Sequence, residues 1–105
     1  MIYTKFKRYT SVEEIYSHFY RNYKNLKYSF FQGAEYKYYL SKAVYISIGK
    51  VNDNGQMAFS VINGNEPIDL QLGARTNLSI IRCELCDLKS YLNETFLFLK
   101  KYILN

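Results

Sequence analysis

Polar and apolar positions follow two different periods in the last third of this chain. Ile68, Leu70 and Leu72 alternate with Asp69 and Gln71, the period-two pattern of a strand with one buried face. Gly73 to Asn77 is a polar break, and Leu78-Ser79-Ile80-Ile81 resumes the apolar pattern as a second strand. From Glu84 the period lengthens. Leu85, Leu88, Leu92, Phe96, Leu99 and Ile103 recur at spacings of three and four, which places them on one stripe of a helix. Lys89, Asn93 and Lys100 fall elsewhere on it. Glu84 and Asp87 near its start and Lys100 and Lys101 near its end suit the helix macrodipole. At about 1.5 Å per residue such a helix spans roughly 30 Å. Its stripe packs either on the chain's own sheet or on a second copy. The heptad spacing of Leu85, Leu92 and Leu99, with Leu88, Thr95 and Tyr102 interleaved, makes the second possible. In that case Leu85, Leu88, Leu92, Leu99 and Tyr102 form a homodimer interface. Phe98 lies off the stripe, and if exposed it favours a partner.

Earlier in the chain, residues 2–9 mix aromatic and basic side chains in near alternation. They fit an edge strand, where lysines discourage aggregation, or an extended arm along a phosphate backbone, with Lys5, Lys7 and Tyr9 on one side. Ser11-Val12-Glu13-Glu14 is a capping-box pattern. Behind it, Val12, Ile15, Tyr16, Phe19, Tyr20 and Tyr23 are spaced as one face of a helix, predicted over 12–24. Residues 25–33 read as a loop anchored by aromatics, and 34–42 as either strand or a turn of helix.

Ala43 to Val51 is predicted to be a strand with Val44, Ile46 and Ile48 on one face and Tyr45 and Ser47 on the other. Asn52-Asp53-Asn54-Gly55 has the chemistry of a hairpin turn. Met57 to Ile62 is the returning strand, and 63–67 the next turn, with Pro67 between strands. The expected fold is one α+β domain over residues 1–105: an N-terminal helix, a four-stranded, mainly antiparallel sheet and a long C-terminal helix.

Composition is compatible with that picture. A chain of 105 residues that is 49% hydrophobic and 22% charged can form a single core. No apolar run is long enough for a membrane span, and the first residues lack the apolar segment of a secretory signal, so a cytoplasmic protein is expected. The formal charge of +5 is uneven: residues 1–50 carry a balance of +6 and residues 51–105 of −1. The first half therefore attracts an anionic partner, unless the charge merely aids solubility. Tyr, Lys, Asn and Ile are abundant, as in products of AT-rich genomes such as many viruses and mobile elements. That bias raises the Tyr and Lys counts without any binding role.

Candidate catalytic groups are sparse. Cys83-Glu84-Leu85-Cys86 has a C-x-x-C spacing, but the chain offers no second cysteine pair and only His18 as a further ligand, too few for a structural zinc site. Two partly buried thiols are the expected reading. His18 has no nucleophile or carboxylate at a motif spacing and is expected to be a solvated helix histidine. The isolated glycines form no phosphate loop. The chain is thus expected to be a non-enzyme, with no cofactor and no metal.

Twelve tyrosines and the basic first half suit a single-strand binder, which needs cations for phosphates and flat rings for bases. On this reading Lys5, Lys7, Lys42 and Lys50 contact phosphates while Tyr36, Tyr38 and Tyr45 stack on bases. The same tyrosines fit a core or a protein interface. The alternative is therefore a small virus- or mobile-element-encoded protein that inhibits or modulates a host protein.

Lys42-Ala43-Val44 looks like the lysine-alanine-aliphatic opening of the Whirly motif, although Ser41 stands where that motif has glycine. Ser79-Ile80-Ile81-Arg82-Cys83-Glu84-Leu85 is similar to the strand-to-helix corner of Whirly-type and positive-cofactor-type single-stranded-DNA-binding modules. Residues 42–99 resemble half of such a module. That resemblance implies assembly through helices and single-strand binding across a sheet.

Overall fold

A computed structural model describes residues 6–27, 34–50, 56–72 and 75–103. Its first helix, α1, spans Val12–Lys27, three residues past the predicted end. Ser11 caps it, its Oγ accepting the Glu14 N–H at 3.2 Å. The Glu14 carboxylate reaches one residue further back than a capping box requires, accepting from the Thr10 N–H at 3.5 Å and the Thr10 hydroxyl at 3.3 Å. Val12, Ile15 and Phe19 form its buried face.

Strand β1, Glu35–Tyr39, occupies a stretch whose sequence fits strand and helix alike. It pairs antiparallel with β2, Val44–Lys50, from Glu35 opposite Gly49 to Tyr39 opposite Tyr45. The connection is closed by the Leu40 and Ser41 N–H groups, which donate to the Val44 carbonyl at 2.8 and 3.2 Å. The hydroxyl of Ser41 accepts the Val44 N–H at 3.1 Å. Strand β3, Met57–Asn63, pairs antiparallel along the whole of β2. The predicted turn at Asn52 to Gly55 lies outside the described residues.

The far edge of β3 departs from the expected meander. Strand β4, Glu66–Pro67, lies opposite Ile62 and Asn63, and the Ile68 N–H donates to the Val61 carbonyl at 2.8 Å. The chain then leaves the sheet. It forms a separate two-stranded ribbon from β5, Leu70–Leu72, and β6, Arg75–Leu78. It returns to the same edge as β7, Ile81–Cys83, opposite Met57, Ala58 and Phe59. The predicted strand over 68–72 is shortened to β5, the predicted strand over 78–81 is split between the end of β6 and the start of β7, and part of the predicted polar break is strand β6. Leu70 and Leu72 are buried, and β5 lies against the C-terminal helix. Pro67 is a strand residue rather than a spacer. The bond made by Ile68 turns the Pro67 nitrogen outward, where a missing N–H costs the ladder nothing.

Helix α2, Leu85–Tyr102, follows Glu84, its N-cap, where the sequence period changes. Leu88, Leu92, Phe96 and Leu99 are buried with Thr95. They join α1 and one sheet face in a common core. The stripe therefore packs on its own chain. Leu88, Leu92 and Leu99 are fully buried and unavailable to a second subunit, while Leu85 is only partly buried and Tyr102 is exposed. The expected interface of Leu85, Leu88, Leu92, Leu99 and Tyr102 is thereby divided between core and surface. The resulting α+β architecture is a sheet with both helices on one side. No helix among the described residues is long and apolar enough to cross a membrane.

Candidate nucleic-acid interface

Strand pairing sorts the tyrosines onto opposite faces, because successive side chains point to opposite sides. Tyr36 lies opposite Ile48 and Tyr38 opposite Ile46, so both belong to the face covered by helices. Tyr38 is only 1% exposed, and its hydroxyl lies 2.9 Å from His18 Nδ1 on α1. The half-buried Tyr36 donates its hydroxyl to the Asn22 carbonyl at 3.4 Å and sets its ring edge-on to Phe19. Neither ring can share a stacking surface with Tyr45. These are the rings that dock α1 on β1.

The opposite face carries Lys37 and Tyr39 from β1, Tyr45, Ser47 and Gly49 from β2, Ala58, Ser60 and Ile62 from β3, and Arg82 from β7. Among the described residues no helix lies on it. Tyr39 and Tyr45 are direct cross-strand partners, with ring centroids 4.9 Å apart and planes inclined at 39°. The Phe6 ring stands edge-on to Tyr39 at 5.5 Å. The Lys37 ammonium lies 5.3 Å from the centre of the Tyr45 ring, close enough for a cation–π attraction.

The middle of this face carries small residues, and Ser47 and Gly49 are both buried. Gly49 tolerates no side chain without adjustment, because a Cβ there would meet the Ala34 carbonyl oxygen at 3.0 Å and Glu35 Cβ at 3.1 Å. Among the described residues the acid of this face, Glu35, is engaged locally. Glu35 accepts a hydrogen bond from the Ser47 hydroxyl and lies 3.7 Å from the Lys37 ammonium. The exposed Arg82 side chain stands across the floor from the aromatic corner.

The other predicted contacts are scattered. Lys42 is exposed in the β1–β2 connection. Lys7 is exposed with its ammonium 4.7 Å from the Tyr9 ring centre. Tyr9 itself packs on Tyr38 at 5.0 Å and donates its N–H to the Tyr39 carbonyl at 2.8 Å, so residues 6–10 follow the edge of β1 as an arm rather than a strand. Lys50 ends β2 opposite Met57, but its side chain lies outside the described residues, as does all of Lys5. Sequence reasoning did not single out Phe6, Tyr39 or Arg82, which the structure brings to this side of the sheet. The alternation of Tyr36, Tyr38 and Leu40 against Lys37 and Tyr39 carries the signal, but only once residues 35–39 are known to be a strand.

His18 is not a solvated helix histidine. Besides Tyr38 it contacts the edges of the Tyr9 and Tyr36 rings. Partial burial and the nearby cations of Arg21 and Lys7 hold its pKa below the usual histidine value. Burial, followed by the neighbouring Tyr9 and Tyr36 hydroxyls, raises that of Tyr38 far above the ordinary phenol range. The two cysteines also differ from expectation, since Cys83 is buried on the sheet while Cys86 is exposed on the first turn of α2. No group of three potential metal ligands occurs among the described residues. No protein-family model matches the chain, nor does any curated protein or solved structure.

Proposed function

We propose that this protein binds single-stranded nucleic acid on the helix-free face of its sheet and catalyses no reaction. The observation that carries this reading is the Tyr39–Tyr45 pair with Lys37 at its side, set on the sheet face that neither helix covers. Unpaired bases stack on Tyr39, Tyr45 and Phe6, each stacked base contributing about 1–3 kcal/mol. Lys37, Lys42 and Arg82 meet the phosphates. The Glu35 carboxylate, already held by Ser47 and Lys37, repels them less than a lone acid would. An open strand fits such a floor because its bases can splay outward, whereas duplex bases are stacked on one another. The likeness of residues 42–99 to Whirly-type modules supports the same class of partner, as does the +5 charge.

The test is an anisotropy titration of a fluorescent single-stranded oligonucleotide at low and moderate salt, with a duplex control. Salt-sensitive binding that prefers the single strand is expected. Absence of binding at micromolar protein rejects the reading and moves the search to a host protein partner.

A further inference from the structure

The outer side of α2, away from its buried stripe, is not uniformly polar. Leu97 is 71% exposed and Tyr102 59% exposed. The half-buried Phe98 ring lies 5.0 Å from that of Tyr102. With Glu94, Lys101 and Gln71 they line a shallow groove along the last turns of the helix. Isolated exposed apolar residues are ordinary. Here the apolar groups form a cluster bracketed by an acid on one side and a base on the other.

The order of those charges identifies the occupant. Glu94 and Lys101 are seven residues apart on the same side of α2, about 10 Å along the axis, with Leu97 and Phe98 midway between them. A second copy of the helix, antiparallel and related by a two-fold axis through that midpoint, places the partner's Lys101 opposite Glu94 and the partner's Glu94 opposite Lys101. The same operation sets Leu97 on the partner's Leu97 and Phe98 on the partner's Phe98. A two-fold interface must be complementary to itself. An apolar centre with one acid and one base at equal distances on either side satisfies that condition, whereas a parallel arrangement in the same register would oppose like charges.

We propose that this outer face of α2, not its buried stripe, joins two copies of the chain. The proposal is independent of nucleic-acid binding and leaves the sheet face of each copy open. Sedimentation analysis of the purified protein across a concentration series to roughly 100 µM tests it. A reversible dimer is expected. E94K and K101E should each weaken it at least about tenfold, because each opposes like charges across the axis. The double variant E94K/K101E should restore it. Both positions lie outside the core, and circular dichroism of each variant confirms that it is folded. A wild-type protein that stays monomeric, a dimer that neither single variant weakens, or a double variant that fails to recover overturns the proposal.

Discussion

Tyr39 and Tyr45 oppose each other across the β1–β2 pair, on the side of the sheet that neither helix covers, with ring centroids 4.9 Å apart. The neighbouring position, one residue back on β1, has the opposite fate: Tyr38 is buried beneath α1 and bonded to His18. One step along a strand thus separates a ring available to a ligand from a ring that holds the fold together.

That separation yields the first prediction. Tyr39→Ala and Tyr45→Ala should each weaken oligonucleotide binding by about 1–3 kcal/mol while changing stability little. Tyr38→Phe should leave binding unchanged and lower stability by roughly 1 kcal/mol through loss of the His18 bond. Paired binding titrations and urea melts on the three variants check the distinction. Equal binding losses for Tyr38→Phe and Tyr45→Ala would remove it.

The cations of the same face should act without regard to base sequence. Lys37→Gln and Arg82→Gln are each expected to weaken binding to all single strands and to reduce the salt slope by roughly one ion for each phosphate no longer neutralised. Affinity measured over a range of salt concentrations reads that slope directly. An unaltered slope in both variants would remove these two side chains from the phosphate path.

His18 gives a pH dependence of stability with a definite sign. Its folded pKa lies below the unfolded value of 6.5 because of burial and the Arg21 and Lys7 cations. The unfolded chain therefore takes up the proton first as pH falls. Stability should be highest with His18 neutral, fall as the pH drops below 6.5, and level off beneath the lowered folded value. The structural reason is shared with Tyr38: its buried phenol keeps its proton and can donate to an unprotonated Nδ1, an acceptor that protonation removes. Thermal melts from about pH 8 to about pH 5 should show this loss, and His18→Gln should flatten it. An identical pH profile in the variant would assign the loss to other groups.

The two sides of α2 should respond differently to truncation. Leu92→Ala empties a fully buried site and should cost about 2–5 kcal/mol. Leu97→Ser, at a position that is 71% exposed, should change monomer stability by less than about 0.5 kcal/mol and act instead on self-association. Denaturant melts at low protein concentration separate the two effects.

These assignments also mark what the sequence makes legible. The α2 stripe and the capped start of α1 are local patterns, and the heptad spacing of Leu85, Leu92 and Leu99 is equally visible. Spacing alone cannot distinguish a stripe that meets its own sheet from one that meets another copy. That choice depends on whether β5 and α1 already cover it. The excursion from Ile68 to Ile81 is hidden for a related reason. Leu70 and Leu72 alternate like sheet residues, but they are buried in a separate ribbon beside α2, a long-range pairing that no local period reports. The aromatic site is misgrouped in the sequence because residues 34–42 fit strand and helix equally. Without a strand there, Tyr36, Tyr38 and Tyr45 look equivalent, and Tyr39 shows no reason to face Tyr45.

The most direct test of the sheet-face reading is a residue-resolved map by ¹H–¹⁵N NMR, titrating the labelled protein with an unlabelled single-stranded oligonucleotide. The expected result is that amide shifts concentrate at Lys37, Tyr39, Tyr45, Ser47, Ser60 and Arg82 and leave α1 at rest. No saturable shifts, or shifts centred on α1 or on the outer face of α2, would contradict the assignment of that sheet face as the binding surface.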